Sequence, residues 1–86
     1  MKPVTLFILH NCPYCKRALS LMEELKKEHP RYAEVPVMII DEGMEPEIAN
    51  QYDYYYVPTY YIEGVKVHEG VASKEIIQQV YEKAME

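Results

Sequence analysis

Val4-Thr5-Leu6-Phe7-Ile8-Leu9 runs straight into His10-Asn11-Cys12-Pro13-Tyr14-Cys15. The first six residues are apolar or β-branched with no polar alternation, the pattern of a strand buried on both faces. Pro13 suits the first turn of a helix, where its missing N–H has no intrahelical partner to lose. From there apolar residues recur at Tyr14, Ala18, Leu21, Met22 and Leu25, a helical spacing. Lys16, Arg17, Glu23, Glu24, Lys26 and Lys27 take the other face, and Glu23 and Lys27 are placed to pair at i,i+4. Pro30 ends the helix. The chain therefore passes from a buried strand to an amphipathic helix through a Cys-x-x-Cys.

Outward from this stretch the order continues. Val35–Ile40 is a second apolar run with Pro36 near its start, and a strand–helix–strand sequence favours a parallel pair with a right-handed crossover. Asp41-Glu42-Gly43 reads as a turn, and Pro46 as the start of a short helix reaching Tyr52. Val57–Ile62 is a third strand, Glu63-Gly64 a tight turn, and Val65–Glu69 its hairpin partner. Gly70 closes the hairpin, Ser73 caps a last helix, and Ile76, Ile77, Val80, Tyr81 and Ala84 give that helix one apolar face. The order β-α-β-α-β-β-α, with an apolar central strand, predicts an α/β fold: a three-layer α/β/α sandwich around a four-stranded mixed sheet. No repeat or linker interrupts it, so residues 1–86 read as a single domain.

Composition narrows the function. Nine Lys and Arg face 14 Asp and Glu, a formal charge of −5, which leaves no basic footprint for nucleic acid or anionic lipid. No stretch is long and apolar enough for a membrane span, and the N-terminus lacks the features of a signal peptide, so the chain reads as cytoplasmic and monomeric. The only cysteines are Cys12 and Cys15. A bond between them closes a very small loop and constrains the unfolded chain little, which makes the pair a poor staple and a plausible reactive centre.

The position of the pair has chemical consequences. Cys12 stands just before the helix, where unpaired backbone N–H groups and the macrodipole favour an anion, and a thiolate is the nucleophile of thiol chemistry. Cys15, in the first turn, is within reach of a mixed disulfide formed at Cys12. Lys16 and Arg17 add nearby charge, although Lys16 is read first as a solvated basic residue. Other readings exist. The pair could be half of a zinc site completed by both His10 and His68, a structural pair of buried thiols, or part of a metal or iron–sulfur site shared between chains. Between a strand and a helix in a βαβ unit, redox chemistry is the first reading. His10 is read first as a solvated loop residue and second as a group tuning the Cys12 thiolate. Tyr14 either borders the redox pair or packs on the helix face.

The strand-Cys12-Pro13-Tyr14-Cys15-helix arrangement resembles a glutaredoxin. Farther along, Pro46, Ala49, Tyr52, Pro58-Thr59 and Gly70-Val71-Ala72-Ser73-Lys74 resemble a thioredoxin, and the likeness runs from Val4 to about Ala84. The resemblance implies a thioredoxin fold of glutaredoxin size and a thiol–disulfide oxidoreductase, with Cys12 attacking and Cys15 resolving. It needs no metal or organic cofactor. It implies disulfide-containing protein substrates and, as electron source, a flavoprotein reductase or glutathione.

Further roles follow from the same likeness. From the residues alone Pro58 reads as a trans proline at a strand start; the resemblance implies a cis bond, with Val57 and Pro58 beside the cysteines and the Val57 backbone free to pair with a substrate. Pro13, Tyr14 and Tyr56 would border the same groove. Tyr52 is expected in the core; Tyr54, Tyr55 and Tyr56 either rim the groove or lie half-buried in a loop.

The chain also departs from both patterns. Leu6 stands where thioredoxins carry a buried acid, so the Cys15 proton must use another group or water. Leu9-His10-Asn11 lacks the lysine that glutathione-binding glutaredoxins place before the motif, and Glu69-Gly70-Val71-Ala72 replaces their glycine pair and acid. Glu69 is expected to repel glutathione from that side.

Overall fold

Strand β1 (Val4–Ile8) is the centre of the molecule because both of its faces are apolar. In the computed structural model, which describes residues 1–86, it pairs in parallel with β2 (Val37–Asp41), from Val4 opposite Val37 to Ile8 opposite Asp41. On its other side it pairs antiparallel with β3 (Thr59–Ile62), with Leu6 opposite Tyr60. Strand β4 (Val65–Glu69) follows β3 through a two-residue turn. Glu63 (φ 49°) and Gly64 (φ 81°) both have positive φ, as the favoured hairpin turn requires. The sheet order is β2-β1-β3-β4. Tyr60 faces His68 and Tyr61 faces Lys66, so Val67 is an extra residue and the ladder bulges there.

Side-chain alternation divides the core in two. Val4, Leu6, Ile8, Tyr60 and Ile62 point to the face covered by helices α1 (Pro13–Glu28) and α3 (Lys74–Met85). Phe7, Ile40 and Tyr61 point to the other face, where Ala49 of the short helix α2 (Pro46–Ala49) meets them. That second face is built largely from rings: Phe7 lies 4.7 Å from Tyr52, 4.8 Å from Tyr54 and 5.7 Å from Tyr61. The three-layer sandwich expected from the element order is present, and Tyr52, expected in the core, is half-buried and packs against it.

Several local expectations need correction. The buried stripe of α1 is Cys15, Ala18, Leu21, Met22 and Leu25; it starts at Cys15, and Tyr14 is 57% exposed. The reason is the phase of the helix, since Cys15 falls three residues before Ala18 on the same side. Glu23 pairs with Lys26 at 2.6 Å, one residue closer than expected. A 3-10 turn over Pro30–Glu34 buries Tyr32 before β2, so β2 begins at Val37. Strand β2 is an edge with Met38 and Ile39 exposed. Helix α2 stops at Ala49 and only turns carry the chain to Tyr52. Strand β3 starts at Thr59, which leaves Val57 and Pro58 in the loop before it. Ser73 caps α3 as expected, accepting the Ile76 N–H at 3.2 Å.

Candidate active site

Where β1 ends, the chain must turn from the sheet into α1. The Cys12 N–H reaches back to the Leu9 carbonyl at 3.1 Å, and the Lys16 N–H closes the first helical turn on the Cys12 carbonyl at 3.0 Å. Cys12 is the N-cap residue of α1, and its sulfur accepts the Cys15 N–H at 3.4 Å. A cap position is ordinarily filled by an oxygen from Ser, Thr, Asp or Asn. Here a sulfur occupies it, with Pro13 at the start of the first turn.

The two thiols lie in different surroundings. Cys12 is half-buried and Cys15 is only 1% exposed; both are free. Partial burial opposes ionisation of Cys12. It is outweighed by the Cys15 thiol and by the backbone N–H groups of Cys15 and Tyr14, so the Cys12 pKa falls below the usual thiol value. Burial drives the Cys15 pKa up to about 12 despite help from the Leu9 backbone, and the charges of Cys12 and Glu42 push it the same way. A half-buried sulfur whose pKa is lowered is thus paired with a buried one that holds its proton.

The loop before β3 carries the cis Val57–Pro58 peptide bond implied by the resemblance. Pro58 is fully buried, and Val57 and Cys12 both pack against the core cluster that contains Cys15. Tyr56 and Tyr55 are 70% and 87% exposed. Tyr54 differs: it stacks on Phe7 and donates its hydroxyl to Glu42 Oε1 at 2.9 Å. Of the three tyrosines, then, Tyr54 is packed and Tyr55 and Tyr56 stand at the surface. Lys16 and Arg17 are exposed, and neither contributes to the shift at Cys12.

Some contributors escaped the sequence reading. Asp41 ends β2 and opens the turn expected after it, its carbonyl accepting the Met44 N–H at 3.0 Å. Its carboxylate accepts the His10 N–H at 3.1 Å and the Gly43 N–H at 2.9 Å, tying the loop before Cys12 to the sheet. The His10 ring is exposed and lies 3.6 Å from the same carboxylate. Glu69 was expected to present a free, repelling charge. Instead its carboxylate accepts the Tyr55 N–H at 2.6 Å, the Tyr56 N–H at 3.0 Å and the Lys66 ammonium at 2.7 Å. Led by Lys66, these donors hold its pKa down at about 2. Only the long-range pairing of β4 with the loop after α2 could have revealed this. No three His, Cys, Asp or Glu side chains are gathered in a way that would hold a metal ion.

The fold and this cysteine corner define a dithiol protein built on a strand–Cys-x-x-Cys–helix unit. The thioredoxin-domain family matches residues 3–82, and the chain belongs to that family. It is 30% identical over 82 residues to a thioredoxin of Methanocaldococcus jannaschii, covering 95% of this chain and 94% of that one. It is 31% identical over 83 residues to a probable thioredoxin of Methanothermobacter thermautotrophicus, covering 96% and 95%. In three dimensions it resembles the oxidised thioredoxin of Plasmodium falciparum, with a TM-score of 0.72 at 24% identity over 95% of this chain and 79% of that one. Thioredoxin-family proteins are in general thiol–disulfide oxidoreductases acting on protein disulfides with reductase partners. No helix is long and apolar enough to cross a membrane.

Proposed function

We propose that this protein reduces disulfide bonds in other proteins through Cys12 and Cys15, and that a protein reductase, rather than glutathione, restores the dithiol. The Cys12 thiolate attacks one sulfur of the substrate disulfide. A mixed disulfide forms as the substrate S–S bond breaks, and the departing thiolate takes up a proton from solvent. Cys15 then loses its proton and attacks the Cys12 sulfur, forming the Cys12–Cys15 disulfide and releasing the second substrate thiol. Two electrons pass from the pair to the substrate. No metal or organic cofactor takes part.

The observation that carries this reading is the placement of the two thiols at one helix N-terminus. The Cys12 sulfur caps α1 by accepting the Cys15 N–H while Cys15 itself is buried, which displaces their pKa values in opposite directions. It also suggests how the second step is timed. Part of the upward push on Cys15 comes from the Cys12 charge. That charge vanishes once Cys12 is bonded to substrate, so ionisation of Cys15 becomes easier when it is needed.

Pro13, Tyr14, Tyr56, Val57 and Pro58 are assigned to the substrate groove, with the Val57 backbone adding a short strand contact. The support is that the Val57 N–H and C=O have no hydrogen-bond partner within the chain. We place this activity in a single-domain monomer working in the reducing cytoplasm.

The preference for a protein reductase rests on the missing cationic contacts for a two-carboxylate ligand. Turnover with NADPH and a flavoprotein reductase, compared with glutathione and its reductase, tests it. Faster turnover with the flavoprotein is expected, with a reduction potential between about −270 and −200 mV. Efficient glutathione-coupled turnover, with chemical-shift changes at Tyr56, Val57 and Gly70, would instead favour the glutaredoxin behaviour that the Cys-Pro-Tyr-Cys motif suggests.

A further inference from the structure

We propose that Glu69 is a positioning residue for the reaction: it fixes the loop that presents Val57 to the substrate. The inference rests on the substrate groove proposed above and concerns how that groove is held.

Glu69 ends β4 opposite Thr59, the first residue of β3. Its Oε2 accepts two successive backbone N–H groups, from Tyr55 and Tyr56, while Oε1 takes the Lys66 ammonium. The neighbouring groups fasten the rest of the turn. The Gly70 N–H donates to the Pro58 carbonyl at 2.9 Å, and the Thr59 hydroxyl donates to the Tyr56 carbonyl. The loop is tied on both sides of Val57, and the Val57 N–H and C=O stay unpaired.

The tyrosine side chains do not do this work. The Tyr55 and Tyr56 rings are both largely in solvent, so core packing does not hold their backbone. Each residue left free to wander must be ordered at an entropic cost when a partner fixes it. A carboxylate accepting two N–H groups settles that order before the partner arrives, which is preorganisation. Lys66 offsets the charge, so the clamp does not repel an approaching backbone. With its pKa held at about 2, Glu69 stays ionised throughout the ordinary pH range.

Glu69→Ala removes the acceptor, and Glu69→Gln keeps a weaker one. Lys66→Gln removes the counter-ion together with its bond to the Asp53 carbonyl at 3.2 Å while leaving the Glu69 acceptor in place. Glu69→Ala should raise KM for a protein disulfide about tenfold, leaving kcat and the Cys12 alkylation profile unchanged. Glu69→Gln should fall between it and the wild type, and Lys66→Gln should raise KM clearly less than Glu69→Ala. Reduction of a small aromatic disulfide, which needs no strand contact, should be unchanged in all three. Amide exchange at Tyr55 and Tyr56 should be at least several-fold faster in Glu69→Ala. Unchanged exchange at these amides would overturn the clamp whatever the protein reduces. Unchanged KM, an equal loss with the small disulfide, or an equal effect of Lys66→Gln would also overturn it. Failure of the wild-type protein to reduce any protein disulfide would count against the proposed function instead, and amide exchange would still decide the role of Glu69.

Discussion

The Cys15 N–H donates to the Cys12 sulfur across 3.4 Å, so the helix that carries the second cysteine begins by stabilising the first. The same contact caps α1 and lowers the Cys12 pKa, which makes local structure and reactivity one interaction. The expected outcome is selective alkylation. Iodoacetamide labelling followed across pH, with peptide mapping, should modify Cys12 well before Cys15, with Cys15 labelled readily only near its pKa of about 12. Labelling of Cys15 first would contradict this arrangement.

Alkaline pH should destabilise the reduced protein. Burial raises the folded pKa of Cys15 to about 12 and, through burial and the Glu23 charge, that of Tyr81 to about 12. For a group whose folded pKa is raised, the contribution is complete below the unfolded pKa, about 8.5 for Cys and about 10 for Tyr. It is lost as pH rises toward about 12. Chemical denaturation between pH 8 and about 11 should show falling stability, with a shallower fall in Cys15→Ser, which lacks one of the titrating groups. A steeper fall in that variant would show that the Cys15 thiol is not held neutral by the fold.

Much of this corner was legible before the fold was known. The Val4–Leu9 run identified the central strand because it is apolar on both faces, and Pro13 after Cys12 fixed where α1 starts. The Val57–Pro58 loop was found through the resemblance; the residues themselves favour a trans proline. The sequence leaves Tyr14 open between the redox pair and the helix face because its aromatic character allows burial; helix phase assigns the buried side to Cys15 and leaves Tyr14 exposed. The partners of Glu69 and Asp41 were hidden for another reason. Both carboxylates accept backbone N–H groups from distant segments, and no spacing in the sequence records which loop a strand end will meet.

Tyr60 and Tyr81 should tolerate loss of their hydroxyls. Tyr60 is 0% exposed, and neither buried hydroxyl has a partner in the protein. An unpaired buried hydroxyl loses its solvation without compensation, so Tyr60→Phe and Tyr81→Phe should be neutral or stabilising by about 1 kcal/mol. Urea denaturation of the reduced protein measures this directly. Destabilisation beyond about 1 kcal/mol would mean that the hydroxyls make bonds important to the fold.

Phe7 should anchor the second face of the core. It is buried among Tyr52, Tyr54 and Tyr61, and Tyr54 also binds Glu42 near Cys15. Phe7→Ala should cost about 3–5 kcal/mol, and Phe7→Leu distinctly less because it leaves a smaller cavity. Thermal unfolding of both variants checks the order; equal loss would show that ring stacking matters more than volume.

Single turnover followed by intact-mass and peptide analysis tests the dithiol mechanism most directly. Fully reduced protein is mixed with an equimolar disulfide-bonded protein substrate, using wild type, Cys12→Ser and Cys15→Ser. Wild type should lose two hydrogens and acquire a Cys12–Cys15 disulfide while the substrate gains two thiols. Cys15→Ser should accumulate a covalent complex joined only through Cys12, and Cys12→Ser should leave the substrate intact. Normal substrate reduction by Cys15→Ser without another resolving thiol, or a complex joined elsewhere than Cys12, would contradict the account.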